Sequence, residues 1–181
     1  MTAINASARS LKKSQSTSAG ASGAESGQTT GGSIQHEGFT DYPIIIGEGT
    51  DFPLAGLLSM PNNAAGTVPA VVIVAGSGPH DMDASTVGSP YRDIAEFLAA
   101  NGIAVIRYDK RTFTHGERMV QELGGSMTVW EESVEDAILA AELLRADSRI
   151  DENRVYIIGH SLGGMLAPRI HVAGGDFAGL I

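Results

Sequence analysis

The chain has 181 residues, enough for one domain with a tail, and 43% hydrophobic residues can furnish its core. A net charge of −9 argues against nucleic acid as a partner, and the absence of cysteine excludes disulfides, thiolate catalysis and thiolate zinc sites. No apolar run approaches the roughly 18 residues that a membrane-spanning helix needs, so no membrane partner is expected.

Residues 1–35 are rich in Ser, Gly, Ala and Thr and poor in large apolar side chains. Such a segment buries too little surface to offset its ordering entropy, so it reads as a disordered tail ahead of a domain at 36–181. Residues 1–24 carry Arg9, Lys12 and Lys13 and no acid. A basic, Ser-rich, acid-free leader also fits an organellar transit peptide, but it lacks the apolar stretch of a secretory signal. A cytoplasmic protein is the expectation, with the organelle as the alternative.

Tyr42 to Gly47 and Leu54 to Met60 are short strand candidates around a Gly-Glu-Gly-Thr-Asp turn, a hairpin pattern. Pro69 to Ala75 (PAVVIVA) is continuously apolar and β-branched, as a parallel strand covered on both faces should be. Gly76-Ser77-Gly78-Pro79-His80-Asp81 follows as a loop. Ser89 and Pro90 are suited to the N-cap and N1 positions of a helix ending at Asn101-Gly102. Ile103 to Tyr108 (IAVIRY) is the next strand, and Lys110 to Met127 reads as a long loop. Thr128 and Glu131 form a capping-box pattern before a helix with Val134, Ala137, Ile138, Ala141 and Leu144 along one stripe. A strand at Val155 to Ile158 leads into a helix containing Pro168, which removes one backbone bond. Phe177 to Ile181 looks like the opening of another strand. Alternation of strands and helices predicts an α/β fold, a mostly parallel three-layer sheet opened by an N-terminal hairpin.

Gly159-His160-Ser161-Leu162-Gly163 joins that last full strand to its helix. In this context G-x-S-x-G predicts a sharp turn that strains Ser161 and lifts its hydroxyl above the sheet. Side chains at Gly159 and Gly163 would collide with backbone. The Leu162 N–H then faces the place where an oxyanion would form, and the helix N-terminus adds a positive end. A second oxyanion donor is expected from Ser77 or Gly78, whose small size leaves the backbone amides accessible.

A general base is harder to find. Only His171 and Asp176 offer imidazole and carboxylate after Ser161, in the reverse of the usual order along the chain for this fold. His171 lies too far along its helix, and the His160 side chain leaves the turn in another direction. His80 and His115 fall in loops that could line a site. A dinucleotide-binding unit is the competing pattern, from Gly76-x-Gly78 to Asp109. It is opposed by Asp81 at the third glycine position, by a helix that begins too late, and by too long a spacing to Asp109. The five histidines show no ligand spacing with acids, so neither a metal nor a cofactor is expected.

Three stretches in order, AVVIVAGSGPHD from Ala70, the segment from Tyr91 closing on IAVIRYDKR, and VYIIGHSLGGMLAPR from Val155, resemble α/β-hydrolases, specifically bacterial EstD-type carboxylesterases. The resemblance covers about residues 38–181. It implies hydrolysis of short, small-molecule acyl esters through an acyl-enzyme on Ser161, with Leu162 and the Gly76–Gly78 turn at the oxyanion hole. It also implies a sheet in the order 1-2-4-3-5-6-7-8, of which this chain supplies strands one to five and the start of six. The family's triad acid and histidine follow strands seven and eight, so this polypeptide alone is expected to be inactive. The alternatives are a non-catalytic binding protein on half a hydrolase and a nucleotide-binding α/β protein. Loops at the carboxyl ends of strands should shape substrate choice, through His80, Phe113 and Met119. The apolar edge at Phe177–Ile181 is expected to drive self-association.

Overall fold

The computed structural model of the chain describes residues 28–30 and 32–181. Gln28–Thr30 (β1), Ser33–Gln35 (β2), Phe39–Ile46 (β3) and Leu54–Pro61 (β4) form successive antiparallel pairs. The sheet therefore starts ahead of the boundary expected at residue 36. Backbone pairing of β1 to β2 and of β2 to β3 orders a segment that has too little apolar surface to announce itself. The rest of the expected tail, and the leader within it, lie outside the described residues.

Val68–Val74 (β5), Ala104–Tyr108 (β6), Ile150–Gly159 (β7) and Gly179–Leu180 (β8) complete the sheet in the order β1-β2-β3-β4-β6-β5-β7-β8. From β3 onward this is the 1-2-4-3-5-6 portion of the expected order. The part from β6 to β8 is parallel, and β4 joins it antiparallel through β6. Helix α1, Pro90–Ala100, lies on one face against Val71, Ile73 and Val105. On the other face, α4 (Glu135–Ala146) and α5 (Leu162–Ile170) pack on Val72, Val74, Ile106 and Ile157. Alternate residues of β5 thus feed opposite cores, which is why its run is apolar without a break. Each fully buried Val, Ile or Leu here contributes about 1.5–3 kcal/mol relative to exposure.

The segment expected as a loop at 110–127 is instead mostly helical, with α2 at Arg111–Thr114 and α3 at Gly116–Glu122. Arg111 is buried and pairs with Asp136 and Glu135, which ties α2 to α4. The Thr128 capping box forms as expected: Thr128 N–H donates to Glu131 Oε2 at 2.9 Å, and Trp130 N–H donates to Thr128 Oγ1 at 3.1 Å. Ser89 sits at the N-cap of α1, yet with φ 63° it adopts a left-handed conformation and makes no side-chain cap bond.

Candidate active site

β5 and β7 are parallel neighbours in register from Ala70 opposite Val155 to Val74 opposite Gly159. Strands paired this way end at the same edge, so the loop after β5 and the turn after β7 emerge side by side. Ser161 occupies that turn with φ 52° and ψ −111°, a conformation non-glycine residues rarely adopt. Glycines on either side make it possible. A Cβ on Gly159 would lie 2.5 Å from the Gly163 carbonyl carbon, and one on Gly163 would strike the Val74 carbonyl oxygen. Strand, turn and helix are pressed together more closely than any side chain allows.

Ser161 is exposed, and α5 begins at the next residue. The first amides of a helix have no intrahelical acceptor, and Leu162 N–H is one of them. Gly163 N–H is satisfied locally by the His160 carbonyl at 2.9 Å. Across the turn, a Cβ on Gly76 would lie 3.3 Å from Ser161 Cβ. The Gly76 backbone therefore rests against the serine. Ser77 is exposed beyond it, and Gly78 turns the loop with φ 92°.

The side chains of Tyr91, His160, Lys110 and Glu132 surround this loop. Gly76 N–H donates to the Tyr91 hydroxyl at 3.2 Å, and that hydroxyl lies 2.9 Å from His160 Nδ1. With the ring proton on Nε2, Tyr91 donates to His160. Lys110 Nζ donates to the Gly76 carbonyl at 2.8 Å and to Glu132 Oε1 at 2.5 Å. The residues in these pairs are far apart in sequence and follow no period, so no sequence signal marks them.

His80 stands at the same loop, where its Nε2 donates to the Ser77 carbonyl at 2.8 Å. Further on, Asp81 accepts from Ser85 N–H and Asp109 from Met82 N–H, each at 2.8 Å. The bonds from Ser85 hold the Asp81 carboxyl below its ordinary range, whereas burial pushes that of Asp109 up.

The remaining candidates do not gather at Ser161. Phe113 is 51% exposed and lines a cleft with Thr112, His115 and Gln121 that does not include the serine. Met119 is fully buried, so its side chain packs in the interior rather than lining a substrate pocket. His115 Nε2 donates to the Pro53 carbonyl, and His171 Nδ1 accepts from Phe177 N–H. Among the described residues, no imidazole or carboxylate hydrogen-bonds Ser161, and no cluster of three or more His, Cys, Asp or Glu could hold a metal ion. A surface cavity of about 840 Å³, lined by Thr40, Tyr42, Met60, Asn62 and Arg149, opens at the other end of the parallel strands. No helix among the described residues is long and apolar enough to cross a membrane.

A central parallel sheet in this order, with a strained serine between glycines at a strand-to-helix turn, defines an α/β-hydrolase fold. The family described as serine aminopeptidase, S33, matches residues 69–181, and the chain belongs to it. It is 45% identical over 140 residues to Esterase EstD of Thermotoga maritima, a match covering 76% of this chain and 30% of that protein. The chain thus corresponds to less than a third of the length of that relative. Among solved structures, it is similar to a dienelactone hydrolase from Anabaena variabilis, with a TM-score of 0.57 and 22% identity over 78% of this chain and 60% of the other. It is also similar to an esterase from Thermogutta terrifontis, with a TM-score of 0.52 and 23% identity over 70% of this chain and 42% of the other. These two likenesses are of fold alone.

Proposed function

We propose that the chain carries the nucleophile and the oxyanion-binding half of a serine hydrolase acting on small carboxylic esters. The observation that carries this reading is Ser161, held at φ 52° and ψ −111° at the head of α5 with the Gly76 backbone against it. In this reading Ser161 Oγ attacks the ester carbonyl carbon. The developing oxyanion accepts hydrogen bonds from Leu162 N–H and from the Ser77 or Gly78 N–H. The C–O bond to the alcohol breaks as the alcohol takes a proton, leaving an acyl group on Ser161 that water then hydrolyses. Esters, rather than the amides that the family description names, are favoured by the esterase relative at 45% identity.

The histidine and acid that would move the proton are not contributed by these 181 residues in this reading, so the chain alone turns over no ester. The second reading, a non-catalytic half-hydrolase that binds without reacting, is favoured by the lack of any base in contact with Ser161. Labelling by a fluorophosphonate separates the two. The chain, alone and with a carboxyl-terminal hydrolase segment supplied in trans, is treated with the probe beside its Ser161→Ala variant. Labelling of Ser161, absent in the variant, is expected. No labelling in either setting overturns the hydrolase reading.

A further inference from the structure

The loop after β5 is held from behind at three backbone groups. Gly76 N–H donates to Tyr91, the Gly76 carbonyl accepts from Lys110, and the Ser77 carbonyl accepts from His80. A peptide unit is planar and trans, so its carbonyl and its N–H point in opposite directions. Fixing the Gly76 carbonyl therefore aims the Ser77 N–H, and fixing the Ser77 carbonyl aims the Gly78 N–H, each away from its clamp.

Lys110 is the unusual member. Its side chain is 4% exposed, and its ammonium divides its bonds between that carbonyl and Glu132. A buried ion pair is weak evidence for stability, because apolar residues of the same volume often serve as well. What an apolar residue cannot do is place a positive charge on a peptide oxygen. That charge polarises the amide and strengthens its N–H as a donor. The peptide in question is the one whose other end is the Ser77 N–H, and its Gly76 side rests against Ser161.

We propose that Lys110 is a positioning residue for the chemistry at Ser161: acting through the Gly76 carbonyl, it orients and polarises the Ser77 amide toward the oxyanion. Glu132 fixes the ammonium from the far side. Tyr91, itself bonded to His160, ties the same loop to the residue next to the nucleophile. The inference rests on the hydrolase reading above.

The test uses the full chain, with Lys110→Met, Lys110→Arg and Glu132→Gln. Two quantities are read: the amide chemical shift of Ser77 by NMR, and the maximal rate of fluorophosphonate labelling under the conditions that label the unmodified protein. Lys110→Met is expected to move the Ser77 resonance upfield. Because it misaims an oxyanion donor without deleting it, it should slow labelling about tenfold, less than the 10²–10³ loss of removing a donor. The half-saturating probe concentration should stay within about twofold, since ground-state binding is untouched. Lys110→Arg, still cationic and able to donate to the same carbonyl, should restore most of both signals. A lysine serving stability alone would lower the unfolding midpoint without moving the maximal rate of the folded protein. If Lys110→Met fails to fold, Glu132→Gln carries the test, with a smaller shift in the same Ser77 resonance. A folded Lys110→Met protein with unaltered Ser77 shift and labelling overturns the inference and leaves the hydrolase reading standing. An unmodified protein that never labels overturns the hydrolase reading, and the inference with it.

Discussion

Gly163 is where the geometry of the serine turn can be tested most directly. An alanine there would place its Cβ against the Val74 carbonyl oxygen and 2.9 Å from both the Val74 carbonyl carbon and the Ala75 oxygen. The obstacle is backbone of a central strand, paired on both sides by β6 and β7, so it cannot swing aside as a side chain would. Overpacking of this kind costs about 1–3 kcal/mol, and an immovable neighbour puts the cost near the top of that range. The clash also displaces the bond from His160 N–H to the Val74 oxygen, now 3.0 Å long. Losing that bond adds about 1 kcal/mol. A total of about 4 kcal/mol corresponds to a fall of roughly 8–16 °C in the unfolding midpoint of a chain this size. Gly125 is the control, because a Cβ there meets nothing within 4 Å and its φ is not positive. Gly125→Ala should be neutral, or stabilising by about 0.4–1 kcal/mol. Thermal scans and urea titrations of the two variants read the difference. A Gly163→Ala protein melting within about 2 °C of the unmodified chain would refute the claim that close backbone approach dictates this glycine.

Other expectations concern the neighbouring helices and the free sheet edge. Met119→Ala opens a cavity in a fully buried site and should destabilise by about 2–5 kcal/mol while leaving acyl-chain preference in a complemented enzyme unchanged. Phe113→Ala, at an exposed position, should cost little stability; if it also leaves chain-length preference unaltered, the cleft at Phe113 is not a substrate surface. Burial raises the Asp136 carboxyl to about 6, despite its bonds to Arg111. The folded state then binds this proton more tightly than the unfolded chain. The contribution is fully present below the unfolded value near 4 and is lost as pH rises through about 6. The fall in urea-unfolding stability between pH 4 and pH 7 should therefore be larger, by up to about 3 kcal/mol, in the unmodified chain than in Asp136→Asn; equal pH dependence would contradict the assignment. Finally, β8 closes the strand order, and Ile181 beside it is 71% exposed. We propose that this edge recruits a second copy. Sedimentation of the full chain at micromolar concentration should show concentration-dependent association, and a monodisperse monomer would argue against it.

The parallel strands were legible because their signal is local. PAVVIVA, the run ending at Ile158 and IAVIRY as far as Arg107 are apolar on both faces, the pattern of a strand covered by helices on each side. The serine turn was legible in part for the same reason: Gly159 answers to backbone crowding within five residues, whereas Gly163 answers to the Val74 and Ala75 carbonyls at the end of β5. Two stretches were not legible. Strands β1 and β2 carry no apolar alternation, and their order comes from hydrogen bonds of β1 to β2 and of β2 to β3. Helices α2 and α3 are too short to be stable alone, and they persist because Arg111 reaches Asp136 and Met119 is buried.

The site divides along the same line. Ser161, Leu162, Ser77 and Gly78 could be proposed from the chain alone, because each role belongs to a backbone turn written in adjacent residues. In the sequence, His80, Phe113 and Met119 share only a place in segments that follow strands. Folding separated them, burying Met119, leaving Phe113 in a different cleft, and turning His80 onto the Ser77 carbonyl. The bonds from Tyr91 to His160 and from Lys110 to Glu132 and Gly76 join α1, the residue ahead of α2, the turn ahead of α4, and the loops after β5 and β7. Sequence by itself determined the order of elements and the motif of the serine turn, since periodicity sets the first and the crowding at Gly159 is local, while the crowding at Gly163 comes from the end of β5. Which side chains hold that turn in place was decided only by tertiary structure, because those contacts exist only once the sheet brings its strand ends together.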